Sequence, residues 1–222
     1  MGSLCCADGN ERVNVDTVFA RTIRQAGVRS GVVLHLGAHL GEEDALYQRL
    51  GLTPAYVEAQ PSTFERLRRI RAERCCIHAA VGRIDGGTAT LHVAEPDACS
   101  SLLKRDSRTT VKTSGVKLDV TAVSVPRRTV DSICAEWEIK PIALTYDIQG
   151  AELDALRGST IALAGARVVW CEVWKRPLYG MTALIADVEH LLMLQGFRRV
   201  AYVPGSNPAW GDGFYVRTGG PR

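Results

Sequence analysis

The sequence is poor in the features that mark several familiar protein classes. It has no C-x-x-C pair, and its seven cysteines fall as adjacent pairs, Cys5-Cys6 and Cys75-Cys76, with Cys99, Cys134 and Cys171 alone. An odd number at these spacings speaks against a zinc site and against a closed disulfide framework. Free thiols fit a reducing compartment, so the expected location is cytoplasmic. No apolar run approaches the roughly 18 residues of a membrane span, and no secretory h-region is present. The start, Met1-Gly2-Ser3-Leu4-Cys5-Cys6, departs from the myristoylation pattern at position 6, where Ser or Thr is required, so no membrane partner is expected. A formal net charge of only +3 makes no electrostatic case for nucleic acid. Arg66, Arg68, Arg69 and Arg71 do cluster, but the stripe of Phe64, Leu67 and Ile70 places them on the solvated face of an amphipathic helix.

Two phosphate-binding signatures are also missing. The stretch Val32-Val33-Leu34-His35-Leu36-Gly37-Ala38-His39-Leu40-Gly41 is an apolar strand entering a glycine turn. A dinucleotide fingerprint would place a glycine where His39 stands, and a phosphate loop would end in Gly-Lys-Ser/Thr rather than Gly41-Glu42-Glu43-Asp44. What remains is a strand ending at Gly37, a helix expected to begin near Gly41 with backbone N–H groups facing a ligand, and an isolated carboxylate, Glu58, closing the next apolar run. An acid at that place accepts hydrogen bonds from ribose hydroxyls. The combination reads as a site for an adenosine ligand without a phosphate, of which S-adenosylmethionine is the common one.

At 222 residues the chain fits one α/β domain, with residues 1–12 expected to be disordered. Val15, Val18, Phe19, Thr22, Ile23 and Ala26 form a helical stripe ending at Gly27. Then come a strand over 31–36, a helix near 41–50, a strand at 55–58 and a helix opened by Pro61-Ser62-Thr63 and running to about 72. Such alternation predicts a parallel sheet with helices on both faces. A third strand over 77–81, a turn at Asp85-Gly86-Gly87 and an alternating strand over 88–93 predict a hairpin-like excursion. Residues 94–115 are polar and irregular, a candidate lid, and are followed by a β-type segment over 116–125. Alternation resumes with helix 129–138, strand 142–146, helix 151–157, strand 167–173, helix 181–195 and strand 199–203, beside which 213–216 can pair antiparallel.

A second constellation lies in Leu144-Thr145-Tyr146-Asp147-Ile148-Gln149-Gly150-Ala151-Glu152. Asp147 ends an apolar strand and Gly150 permits a turn, while Glu152 falls in the first turn of the next helix. Ligands of open α/β sheets sit beyond the carboxyl ends of the strands, so Asp147, and Glu172 at the end of 167–173, are expected to face the same crevice as Gly37 and Glu58. Three such carboxylates could act as a base and its neighbours or hold Mg²⁺ through oxygen. Simpler roles stand beside these. Glu152 suits the positive end of a helix, and Asp147 a helix cap. His35 and His39 read as locally hydrogen-bonded histidines. Trp174, Tyr179 and Trp210 suit either the core or a stacking surface for a sugar.

Taken in order, His35-Leu36-Gly37-Ala38-His39-Leu40-Gly41, Tyr56-Val57-Glu58-Ala59-Gln60-Pro61, Ala79-Ala80-Val81-Gly82, Ser100-Ser101-Leu102, Thr129-Val130-Asp131 and Asp147-Ile148-Gln149-Gly150-Ala151-Glu152 resemble the FkbM family of S-adenosylmethionine-dependent methyltransferases. The resemblance spans about 31–175 and is most specific at the Asp-x-x-Gly-Ala-Glu element. It implies a class I methyltransferase fold and O-methylation of sugar or polyketide-type hydroxyls. The chain departs from the family pattern at His35, usually an acid, at His39, usually Asn, and at Gln149, usually Glu, the last of which weakens a metal site involving that position.

The resulting expectation is an α/β, Rossmann-like three-layer sandwich with a seven-stranded mixed sheet and a hairpin insertion. Cofactor contacts are expected from Gly37, Ala38, His39, Gly41, Glu58, Ala59, Ala80 and Asp147, with the 79–81 turn at the adenine. Asp147, Glu152 and Glu172 are the catalytic candidates and the candidate Mg²⁺ ligands. The expected acceptor is a carbohydrate or glycosylated small molecule, met by the 94–115 loop and the three aromatics; a homodimer is left open. Two rivals share the adenosine logic: a nicotinamide oxidoreductase, disfavoured by the missing turn glycine, and a noncatalytic binding module.

Overall fold

A computed structural model describes residues 14–109, 111 and 115–219. The expectation for residues 1–12, and part of the proposed lid, lie outside the described residues. The elements in chain order are α1 (Val15–Gln25), β1 (Gly31–Leu36), α2 (Asp44–Arg49), β2 (Leu52–Glu58), α3 (Pro61–Ile70), β3 (Cys75–His78), β4 (Ala80–Val81), β5 (Thr88–Glu95), β6 (Lys117–Arg128), α4 (Val130–Glu136), β7 (Pro141–Tyr146), α5 (Glu152–Arg157), α6 (Thr160–Gly165), β8 (Val168–Trp174), α7 (Ile185–Leu194), β9 (Phe197–Pro204) and β10 (Trp210–Arg217).

The main sheet has seven strands in the order β3-β2-β1-β7-β8-β10-β9. All pairings are parallel except those of β10, which runs antiparallel between β8 and β9. Its inner strands are apolar almost throughout, as a sheet covered on both faces requires. Period-two alternation sends Leu34, Leu36, Leu144, Tyr146 and Val169 to a core shared with α4 to α7. The alternate residues Val33, Ala143, Val168 and Trp170 join Phe19, Tyr47 and Leu67 in the core under α1 to α3. His35, Thr145 and Glu172 belong to this second set by the same alternation, which puts polar side chains inside an apolar layer near the strand ends.

Several expected elements are corrected. α2 begins at Asp44, because Gly41 to Glu43 form turns rather than a helical start. The single strand expected over 77–81 is two: β3 pairs with β2, and after Ala79 the chain leaves the main sheet as β4, which pairs with β6. β5 also pairs with β6, so the excursion is a three-stranded sheet ordered β4-β6-β5. α7 starts at Ile185 instead of 181. α3 buries Thr63 and Leu67 but leaves Ile70 exposed, and Arg71 turns inward rather than into solvent. There its guanidinium donates to the carbonyls of Gly41 at 2.7 Å and Leu40 at 3.3 Å.

Candidate functional site

The end of β1 is set by backbone crowding. Gly37 has φ +78°, and a Cβ placed there would lie 1.8 Å from the carbonyl oxygen of Asp147. Only glycine lets β1 and β7 converge at this point. The N–H groups of Gly37 and Ala38 continue the ladder onto the Val57 carbonyl, that of Leu40 goes to Glu42 Oε2 and that of Gly41 to the Ala38 carbonyl. His39, at φ +47°, donates its N–H to Glu58 Oε2 at 2.9 Å. The turn therefore spends its donors on the protein, correcting the expectation that they face a ligand. Ala38 is buried in the α1 to α3 core, and Gly41 sits against Tyr56 and Arg71.

What faces the crevice is a pair of carboxylates on either side of Gly37. Glu58, ending β2, accepts a second N–H from Gln60 at 2.8 Å through Oε1. Burial pushes its pKa up to about 7, although those two N–H bonds and the nearby His39 cation pull the other way. Asp147, just past β7, is likewise raised by burial, against the electrostatic pull of His35 and the amide of Gln149, whose Nε2 lies 2.8 Å from its Oδ1. The apolar part of the lining is Ala59, Ala79, Ala80, Val81, Leu91 and Leu102, and the polar part includes Asp97, Ser100, Ser101 and Gln149.

Neither of the other candidate acids lines this crevice. Glu152 is 2 % exposed, and its Oε1 accepts the N–H groups of Gly150 at 3.0 Å and Ile148 at 3.1 Å, so it staples the turn between β7 and α5. Burial lifts its pKa to about 8. Glu172 lies behind Gln149, with Oε1 3.4 Å from the same Nε2 that serves Asp147. Among the described residues no three His, Cys, Asp or Glu side chains gather as a metal site. The expected Mg²⁺ shared by Asp147, Glu152 and Glu172 is thus not supported by where those side chains stand.

The two histidines differ. His35 is buried on the α1 to α3 side, 3.1 Å from Tyr47 Oη through Nδ1, and burial lowers its pKa to about 4. His39 reaches into the crevice, with Nδ1 2.7 Å from Glu42 and Nε2 3.1 Å from Asp97. The Glu42 hydrogen bond is the main reason that its pKa rises to about 9, with burial opposing and Asp97 adding.

Asp97 begins a segment that crosses the mouth of the crevice. The described part of the candidate lid over 94–115 lines the crevice and is tied to the body of the protein as a strap. Asp97 also receives Thr63 Oγ1 at 2.9 Å, Ser100 Oγ donates to Gln60 Oε1 at 2.9 Å, and Ser101 Oγ donates to the Gln149 carbonyl at 2.6 Å. Further along, Gly180 and Asp106 exchange main-chain bonds with Lys104 and Leu178. Tyr179 and Trp174 pack with Leu178 and Ala209 at 2 % exposure each, so they are core rather than sugar platforms. Trp210 is half-buried over Gly205. The roles of Gln60, Asp97 and Gln149 escape a reading by spacing, because their partners are 40, 58 and 23 residues away.

A family model described as the methyltransferase FkbM domain matches residues 35–199, which include every residue named in the crevice. Among curated proteins none matches the chain. Solved structures of the magnesium protoporphyrin IX methyltransferase (ChlM) from Synechocystis PCC 6803 are similar in fold. The form with bound SAH gives a TM-score of 0.53 at 11% identity, covering 95% of this chain and 90% of that one. The form with bound SAM gives 0.50 at 12% identity, covering 95% and 87%.

Proposed function

From the premise that this chain belongs to the FkbM-domain methyltransferases, with a class I methyltransferase fold, we propose that it uses S-adenosylmethionine to methylate a hydroxyl of a carbohydrate or glycosylated small molecule. The observation that carries the reading is the pair Glu58, buried, and Asp147, half-buried, two carboxylates at the ends of β2 and β7 that face one crevice across Gly37.

The residues present fit the cofactor. Glu58 uses its oxygens only in part for main-chain N–H groups, and a carboxylate has about four acceptor positions, so it can also accept both ribose hydroxyls. Ala59, Ala79 and Ala80 leave a flat apolar wall suited to adenine. When bound, the cofactor supplies a methyl group on a sulfonium centre, a leaving arrangement that needs only a correctly aligned nucleophile.

The protein's own contribution is orientation and proton removal. A sugar hydroxyl is a weak nucleophile at neutral pH, and positioning it is worth several powers of ten. Of the three carboxylates on the crevice wall, Glu58 holds two main-chain N–H groups and Asp97 holds His39 and Thr63, so Asp147 is the one assigned to take the hydroxyl's proton, and burial makes it a stronger base than an exposed aspartate. Asp97 and Ser100 add polar groups along the strap that a polyol can engage. These groups, with the motif resemblance, support a carbohydrate acceptor.

The test is transfer of labelled methyl from S-adenosylmethionine to a panel of monosaccharides, oligosaccharides, glycosides and amino sugars, run beside calorimetry with S-adenosylhomocysteine. Ether methyl groups on the products are expected. Label found only on nitrogen would overturn the O-methyl assignment, and absence of S-adenosylhomocysteine binding would overturn the cofactor.

A further inference from the structure

Gln149 sits where four parts of the molecule meet. Its Nε2 lies 2.8 Å from Asp147 Oδ1 and 3.4 Å from Glu172 Oε1, on the ends of adjacent strands β7 and β8. The Tyr179 hydroxyl shares its one hydrogen between the Cys99 carbonyl in the strap, at 3.0 Å, and the Gln149 Oε1, at 3.3 Å. The main-chain carbonyl of Gln149 accepts Ser101 Oγ at 2.6 Å. The amide orientation follows from chemistry: the NH₂ offers one hydrogen to each acid, whereas the flipped amide would place an oxygen against two carboxylates.

We infer that Gln149 is a positioning residue, which aims the Asp147 carboxylate into the crevice, holds it apart from Glu172, and ties both to the strap through Tyr179 and Ser101. This rests on the reading of Asp147 as the group that takes the acceptor's proton. Two carboxylates on neighbouring strand ends repel when both are ionised. A neutral double donor between them relieves that repulsion without adding charge, and it fixes a rotamer that would otherwise swing away. At φ +54° the backbone of residue 149 tolerates unbranched side chains about equally, so Met and Ala replacements test the amide and not the turn.

The experiment compares the full chain with Gln149→Met and Gln149→Ala. Three quantities are read: kcat and KM on an accepted hydroxyl substrate, S-adenosylhomocysteine affinity, and the rate of tryptic cleavage at Lys104–Arg105 in the strap. The expected result is a fall in kcat of about tenfold or more for both variants, by analogy with the loss of a hydrogen bond to a charged group. KM and S-adenosylhomocysteine affinity should stay within about threefold, and strap cleavage should quicken severalfold. The inference is overturned if kcat stays within about twofold of the parent, or if kcat, KM and cofactor affinity all worsen together with a lowered melting temperature, the pattern of a merely structural residue. Should the parent chain methylate no hydroxyl, the proposed function fails separately. Strap cleavage then still decides the tie, since an unchanged rate in both variants overturns it.

Discussion

His39 Nε2 stands 3.1 Å from Asp97 Oδ1 and so links the turn after β1 to the strap across the crevice. With Nδ1 on Glu42 as well, the ring is held between two acids, the arrangement that favours its cationic form.

This link makes strap stability depend on pH. The His39 pKa rises from 6.5 to about 9, chiefly through the Glu42 hydrogen bond. A group with a raised folded-state pKa contributes fully below its unfolded value and loses that contribution as pH climbs through the folded one. His39→Asn, which keeps a residue tolerant of positive φ, should therefore lower the melting temperature most below pH 6.5, with the difference shrinking toward pH 9. Melting curves of both proteins over that range check it; a difference independent of pH removes the charge from the explanation.

Glu58→Gln should weaken S-adenosylhomocysteine binding by about ten- to a hundredfold, the loss of charge-assisted bonds to two hydroxyls. The parent's affinity should also fall as pH drops below about 7, where burial lets Glu58 hold a proton. Calorimetry at several pH values reads both effects. An unchanged affinity in the variant would place the ribose elsewhere.

Asp147→Asn should cut turnover by about 10²- to 10⁴-fold and leave cofactor affinity nearly intact. Chelation with EDTA is the companion measurement. Because Glu152 is committed to the N–H groups of Ile148 and Gly150, turnover should be unaffected by the chelator. Loss with EDTA and recovery with Mg²⁺ would reverse that expectation.

Gly37→Ala should destabilise the fold by more than about 3 kcal/mol, since the added methyl would overlap the Asp147 carbonyl at a backbone angle that also disfavours a side chain. Urea unfolding measures it. A loss below 1 kcal/mol, on the order of an ordinary surface change, would mean that the strand ends can separate.

Much of the scaffold was legible because its signals are local. The alternation of apolar runs and amphipathic stripes reports covered strands and helices wherever the repeat is short, and it located Glu58 and Asp147 at strand ends. What escaped depends on distant partners. β4 reads as a continuation of β3 until β6, which draws it away from the main sheet, is known. Glu152 looks available from its helix position, but the turn that precedes it needs an acceptor for two buried N–H groups. Arg71 belongs to a charged helix face by periodicity, yet the carbonyls of Leu40 and Gly41 draw its guanidinium inward. The polar 94–115 stretch has the composition of a free loop, whereas its hydrogen bonds to Gln60, Thr63 and Gln149 make it a bridge.

The placement of β10 between β8 and β9 imposes an order on synthesis. In the main sheet β9 bonds only to β10, so a nascent chain that has emerged as far as Pro204 carries a strand with no neighbour and leaves the long apolar edge of β8 open. An unpaired edge of that kind is a template for another chain. A chain ending at Pro204 should therefore aggregate where the full chain stays in solution, and its soluble yield measures that.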